Sequence, residues 1–122
     1  MTNPTRILYV DDEDQLRILV KDQLVGEGFA VELADDGDTA MEILEKQAFD
    51  LVLLDIKMQR VSGIDVLRYM KERKLPARVI MLTAVDDLSV ALEAVKKGAN
   101  DYLTKPYDLG NLLASMRKVL AR

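Results

Sequence analysis

Five side chains with chemistry to offer each stand just past a short apolar run. They are the adjacent acids Asp11 and Asp12, the lone acid Asp55, the hydroxyl of Thr83 and the ammonium of Lys105. A carboxylate can attack an electrophile or bind a cation, a hydroxyl can donate one hydrogen bond, and a lysine can offset negative charge. Each residue also has a purely local reading. Asp55 can be the first residue of a loop, and Asp12 can cap the helix after it, with Gln15 completing a capping box. Thr83 can be an ordinary strand-end hydroxyl, Lys105 a solvated turn lysine, and Tyr102 a half-buried strand aromatic. What sets the group apart is that its members occupy the same end of different runs.

The elements that must position them are legible from periodicity. Apolar runs at residues 6–10, 29–33, 50–54, 79–82 and 101–104 predict strands, and 50–54 reads as a strand buried on both faces. Between them lie stretches with helical spacing. The first carries Leu16, Leu19, Val20 and Leu24, ended by Gly26 and Gly28. The second follows the Asp36-Gly37-Asp38 turn and carries Ala40, Ile43 and Leu44. The third follows a polar loop containing Gly63 and carries Ile64, Leu67 and Met70. The fourth, with Asp86 or Asp87 as cap, bears Leu88, Ala91, Leu92 and Val95 and closes at Gly98. The last, capped by Asp108, carries Leu109, Leu112, Leu113, Met116, Val119 and Leu120 and is expected to run to Arg122. Five strands alternating with five helices predict an α/β fold, a doubly wound parallel sheet of (βα)5 type.

In such a sheet every strand's carboxyl end lies on one edge, where ligands bind. If the first and third strands are neighbours, three carboxylates converge. They repel one another and need a cation to remain ionised together. Oxygen ligands without imidazole or thiolate favour a hard ion such as Mg²⁺. The chain has no His and no Cys, which excludes disulfides, thiol nucleophiles and a phosphorylated imidazole of its own. A net charge of −4 argues against direct nucleic-acid binding. No apolar run approaches the ~18 residues of a membrane span, and no signal-peptide core is present, so a cytoplasmic location is expected.

The motifs Val10-Asp11-Asp12, Leu53-Leu54-Asp55 with Met58 and Gly63 downstream, Met81-Leu82-Thr83-Ala84, and residues 98–103 leading to Lys105-Pro106 resemble the receiver domain of two-component response regulators. The resemblance covers nearly the whole chain, so residues 1–122 are expected to form one receiver domain. It implies a flavodoxin-like strand order of 2-1-3-4-5, with the site at the switch point between strands one and three. It implies that Asp55 is the phosphoacceptor, served by a phosphohistidine on a sensor histidine kinase or phosphotransfer protein. Asp12 and Asp55 would bind Mg²⁺ directly, Asp11 through water, and the Lys57 carbonyl would complete the set. Thr83, the Ala84 amide and Lys105 would contact the phosphoryl oxygens, and Pro106 would turn the chain. Thr83 and Tyr102 would form a switch altering the face of helix four, strand five and helix five, itself a dimer surface by analogy. The output domain or effector is expected outside this chain. The role implied is signalling rather than enzymatic, apart from self-phosphorylation and slow autodephosphorylation.

The chain departs from the family pattern at Gln59, where most members carry Pro, and at Lys57 and Arg60, which add positive charge. Tyr107 stands where Phe is more usual, a difference expected to be minor. A haloacid-dehalogenase-like phosphatase would need a second Asp where Lys57 stands. A flavodoxin-like FMN carrier would need a Ser/Thr/Gly-rich loop where Asp11 to Asp14 stand. A degenerate receiver that only binds proteins is disfavoured because every key position is filled.

Overall fold

Short apolar runs alternating with amphipathic stretches are satisfied by a parallel sheet covered on both faces. A computed structural model describes residues 3–121. The elements are β1 (Arg6–Val10), α1 (Asp14–Gly26), β2 (Ala30–Ala34), α2 (Gly37–Lys46), β3 (Leu51–Asp55), α3 (Gly63–Glu72), β4 (Arg78–Thr83), α4 (Leu88–Lys96), β5 (Asp101–Thr104) and α5 (Leu109–Leu120). All pairings are parallel and the order is β2-β1-β3-β4-β5, the doubly wound arrangement that the alternation and the resemblance imply. The predicted end of the last helix at Arg122 lies outside the described residues.

Side-chain alternation divides the core in two. Leu8, Val10, Val52, Leu54, Val79 and Met81 face α2, α3 and α4. Ile7, Tyr9, Leu51, Leu53, Ile80 and Leu82 face α1 and α5. The central strands β1 and β3 are apolar on both faces because both faces are buried, and each such Leu or Ile contributes roughly 1.5–3 kcal/mol.

Several local expectations are corrected. Asp12 does not cap α1, which starts at Asp14 with Glu13 in the cap position and no side-chain cap. The Glu13 amide donates instead to Asp11 Oδ1, at 2.9 Å. Neither Asp86 nor Asp87 caps α4 through its side chain, because Val85–Asp87 forms a 3-10 turn that leads into it. Leu19 and Leu92 are about half exposed, lying on the outer sides of helices whose inner sides are already filled by Val20 and Leu24 and by Ala91 and Ala94. Gly63 is the first residue of α3, not a loop residue, and Ser62 and Asp65 form a capping box there. Asp108 does cap α5, accepting from the Asn111 amide at 2.7 Å.

Gly63 matters to the site because α3 begins against the end of β3. A Cβ there would overlap the Asp55 carbonyl oxygen and lie 2.9 Å from Ile56 Cα. The Gly63 amide donates to the Ile56 carbonyl at 2.9 Å, which pins this approach. Gly63→Ala is expected to lower stability by about 1–3 kcal/mol in urea unfolding, the usual cost of overpacking; an unchanged midpoint would refute the contact.

Candidate functional site

The sheet register brings the reactive side chains together. Val10 is paired with Leu54, so the next residues, Asp11 and Asp55, lie side by side. Thr83 is paired with Thr104, so Lys105 follows at the same edge. Backbone bonds extend the order past the strand ends: Asp11 N–H to Ala34 C=O at 3.2 Å, Ile56 N–H to Leu82 C=O at 3.0 Å, and Lys105 N–H to Thr83 C=O at 2.7 Å. Asp11 is fully buried and Asp55 nearly so. Burial on this scale excludes most competing water, so the partners of each carboxylate decide its chemistry.

Lys105 Nζ lies 3.1 Å from Asp11 Oδ2, 3.3 Å from Asp55 Oδ2 and 3.4 Å from Glu13 Oε1. One oxygen from each of Asp11, Asp12 and Asp55 falls within 4.8 Å of the others. Asp12 is exposed at the mouth, beside a cavity of about 350 Å³ that it lines with Asp35, Asp36, Gln59 and Arg60. The Lys57 amide donates to Asp55 Oδ1 over a long 3.4 Å. Thr83 is buried and its hydroxyl donates to the Ala84 carbonyl at 3.0 Å. Tyr102 is part-buried and packs against the α2, α3 and α4 side of the core. It shares a sheet face with Thr83, because its strand partner Met81 lies two residues before Thr83. Pro106 is exposed and follows a cis peptide bond.

Burial pushes the Asp55 carboxyl up to about 6; Lys105 and the Lys57 amide oppose the rise and Asp11 adds to it. Burial alone would lower Lys105, but the charges of Asp55 and Asp11 outweigh it and hold the ammonium above its ordinary value. Lys105 pairs with Asp11, Asp55 and Glu13, and Asp12 adds a further acid beside them, so the cluster stays net negative. Its all-oxygen donor set fits a hard divalent cation, held by Asp11, Asp12 and Asp55.

Two contributors escaped the sequence reading. Glu13 reaches Lys105 from the α1 cap position, visible in sequence only as one more acid in a run of four. Tyr9 reads as a strand residue, yet its hydroxyl donates to Asp11 Oδ2 at 3.1 Å and lies 2.7 Å from the Tyr107 hydroxyl. Position 107, expected to be a minor difference, is therefore joined to the site. Arg60, at the rim of the cavity beside Asp12, pairs with Asp38 at 3.0 Å and lies 4.0 Å from Asp36.

With this geometry in place, the comparisons with known proteins bear directly on it. The response regulator receiver domain profile matches residues 7–117. The chain belongs to the receiver domain family. It is 39% identical over 119 residues to the response regulator MprA of Mycolicibacterium vanbaalenii, covering 98% of this chain and 52% of that protein. It is 41% identical over 115 residues to the transcriptional regulatory protein ZraR of Escherichia coli, covering 94% of this chain and 26% of that protein. The chain thus spans about half of one relative and a quarter of the other. Among solved structures, the receiver domain of NtrX from Brucella abortus superposes with a TM-score of 0.89 at 32% identity, covering 94% of this chain and 98% of that one. A receiver domain protein from Clostridium thermocellum gives 0.90 at 32% identity, covering 97% and 95%. This receiver domain is a signalling module, and the phosphatase and FMN-carrier readings fall away. Among the described residues no helix is long and apolar enough to cross a membrane.

The raised Asp55 value has a consequence for stability in metal-free solution. Above about pH 6 the folded domain holds a buried charge, whereas below the ordinary value of 3.8 both folded and unfolded chains are protonated there. The stability associated with Asp55 is therefore full at low pH and lost as pH rises through 6. Asp55→Asn is expected to be more stable than wild type at pH 8, by on the order of 1–3 kcal/mol. That gain should fade by pH 4, as thermal melts in chelator would report; a gain that does not depend on pH would contradict the assignment.

Proposed function

We propose that Asp55 accepts a phosphoryl group from a phosphohistidine on a sensor histidine kinase or phosphotransfer protein. The observation that supports this best is the buried Asp55 carboxylate at the carboxyl end of β3, held 3.3 Å from the Lys105 ammonium inside an acidic cluster. An Asp55 oxygen attacks phosphorus, the phosphorus–nitrogen bond breaks, and its electron pair leaves on the donor imidazole, which takes a proton from solvent. A carboxylate is a weak nucleophile, so the reaction depends on alignment and charge compensation. Lys105 offsets charge on the transferred oxygens, and Thr83 Oγ1 and the Ala84 amide supply donors. Mg²⁺, bound through Asp12, Asp55, the Lys57 carbonyl and an Asp11-held water, would neutralise charge on the phosphoryl oxygens. Hydrolysis of the aspartyl phosphate by water resets the domain slowly.

The signal leaves through Thr83. Its hydroxyl exchanges the Ala84 carbonyl for a phosphoryl oxygen, and Tyr102, on the same sheet face, follows inward. This alters the surface formed by α4, β5 and α5, the proposed contact for an output domain, effector or second copy. The exposed Val90 and Leu92 on α4 support that role. The proposed setting is the cytoplasm, within a longer regulator or beside a separate effector.

Incubation with acetyl phosphate and Mg²⁺ should add one phosphoryl group by mass spectrometry, and Asp55→Asn should abolish the gain. A gain that survives the substitution would put the phosphoacceptor elsewhere. Thr83→Ala should still be phosphorylated but lose most of the phosphorylation-dependent change in partner affinity, a coupling of about 1–3 kcal/mol in typical allosteric proteins. Equal responsiveness in the variant would rule out this route.

A further inference from the structure

Tyr9 lies two residues before Asp11 on β1, so alternation puts both side chains on the face covered by α1 and α5. The tyrosine has no exposed surface, and a phenol in such a place requires partners. It has two, Asp11 Oδ2 at 3.1 Å and the Tyr107 hydroxyl at 2.7 Å. An ionised carboxylate only accepts, so the single Tyr9 proton goes to Asp11 and Tyr107 must donate to Tyr9. The chain of bonds therefore has a direction, from Tyr107 through Tyr9 to Asp11. A hydroxyl that accepts a bond becomes a stronger donor, so Tyr107 strengthens the grip on Asp11.

The rest of the Asp11 carboxylate is also occupied. Oδ2 takes Lys105 Nζ at 3.1 Å and Oδ1 takes the Glu13 amide at 2.9 Å. Of roughly four lone-pair positions on a carboxylate, three are filled, and the remaining one is on Oδ1. The segment after β5 thus holds Asp11 twice, directly through Lys105 and indirectly through Tyr107 and Tyr9.

We propose that Tyr9 is a positioning residue for the divalent-cation site, acting through Asp11, and that Tyr107 acts on the same carboxylate through Tyr9. This rests on the Mg²⁺ reading given under Proposed function. Groups that orient a metal-binding carboxylate are typically worth about 10–100-fold in metal affinity. The effect here should lie at the lower end, because Lys105 and Glu13 still hold Asp11 when the hydroxyl is gone.

The test is calorimetric titration of Mg²⁺ into wild type, Tyr9→Phe, Tyr107→Phe and the double variant, all of which keep the rings that fill the core. Tyr9→Phe should weaken Mg²⁺ binding about tenfold and Tyr107→Phe about threefold. The double variant should match Tyr9→Phe alone, because Tyr107 acts only through Tyr9. In the metal-free proteins the Asp11 carboxyl carbon resonance should move in both single variants, a readout that a purely space-filling role would not change. Unchanged affinities and an unmoved resonance would overturn the proposal, and independent, multiplying effects would overturn the relay. If wild type itself failed to bind Mg²⁺, the cation reading would fall and the inference with it. Binding by wild type with indifferent variants would overturn the inference alone.

Discussion

The arrangement depends on one contact: the Lys105 ammonium between the Asp55 and Asp11 carboxylates, 3.3 and 3.1 Å away. Removing two carboxylates from water costs several kcal/mol per ion unless they are paired and hydrogen-bonded. Asp11 meets that requirement with three donors, whereas Asp55 meets it only in part, with Lys105 and a long bond from the Lys57 amide. The difference separates their roles. The well-bonded acid is held in place, and the poorly bonded one is raised to about 6 and keeps lone pairs free. A site in which both acids were fully satisfied would be more stable and less able to react.

The sheet makes this contact affordable. Neighbouring strands sit about 4.8 Å apart, so β5 is two spacings from β3 and three from β1. Only a long side chain on a segment anchored at the strand end spans that gap. The anchor is the 2.7 Å bond from the Lys105 amide to the Thr83 carbonyl. Thr83 and Lys105 thus share a backbone hydrogen bond, which couples the position of Lys105 to that of β4. Movement of the Thr83 side chain alone leaves this bond intact; movement of its backbone would not.

Much of this was legible in the sequence, and the reasons for the rest are physical. The five strands appeared as apolar runs because each packs at least one face against the core, and the strand-end residues stood out because the runs stop at them. Caps were read less well. A local pattern allowed Asp12 to cap α1, but the Asp11 carboxylate is already drawn inward by Tyr9 and Lys105 and intercepts the Glu13 amide. Leu19 and Leu92 fit a helical period yet face outward, because a period of 3.6 residues does not say how wide the buried stripe is. The Tyr9–Tyr107 pair was invisible because its members are 98 residues apart and each looks ordinary where it stands. The Ser62 and Asp65 capping box went unread too, since its Ser-x-x-Asp pattern sits in what reads as a polar loop.

The loop after Asp55 shows how the fold replaces a restraint that the sequence lacks. Most family members limit this loop with a proline where Gln59 stands. Here the Val61 amide donates to the Gln59 carbonyl at 2.8 Å and Arg60 has φ of +64°, the rare positive-φ γ-turn. Such backbone costs on the order of 1–3 kcal/mol. The Arg60 pairing with Asp38 is too exposed to offset it, since surface ion pairs contribute about 0–1 kcal/mol. Packing on either side of the turn carries the load instead. Val61 sits so close to the start of α2 that a Cβ on Gly37 would lie 2.8 Å from Val61 Cβ, and Gly63 admits α3 against the Asp55 carbonyl. Two glycines on different elements, by allowing close approach, fix the loop that a proline would otherwise stiffen. Arg60 meanwhile turns its charge toward α2, so of the two cations that set this loop apart, Lys57 is the one left without an ion pair among the described residues.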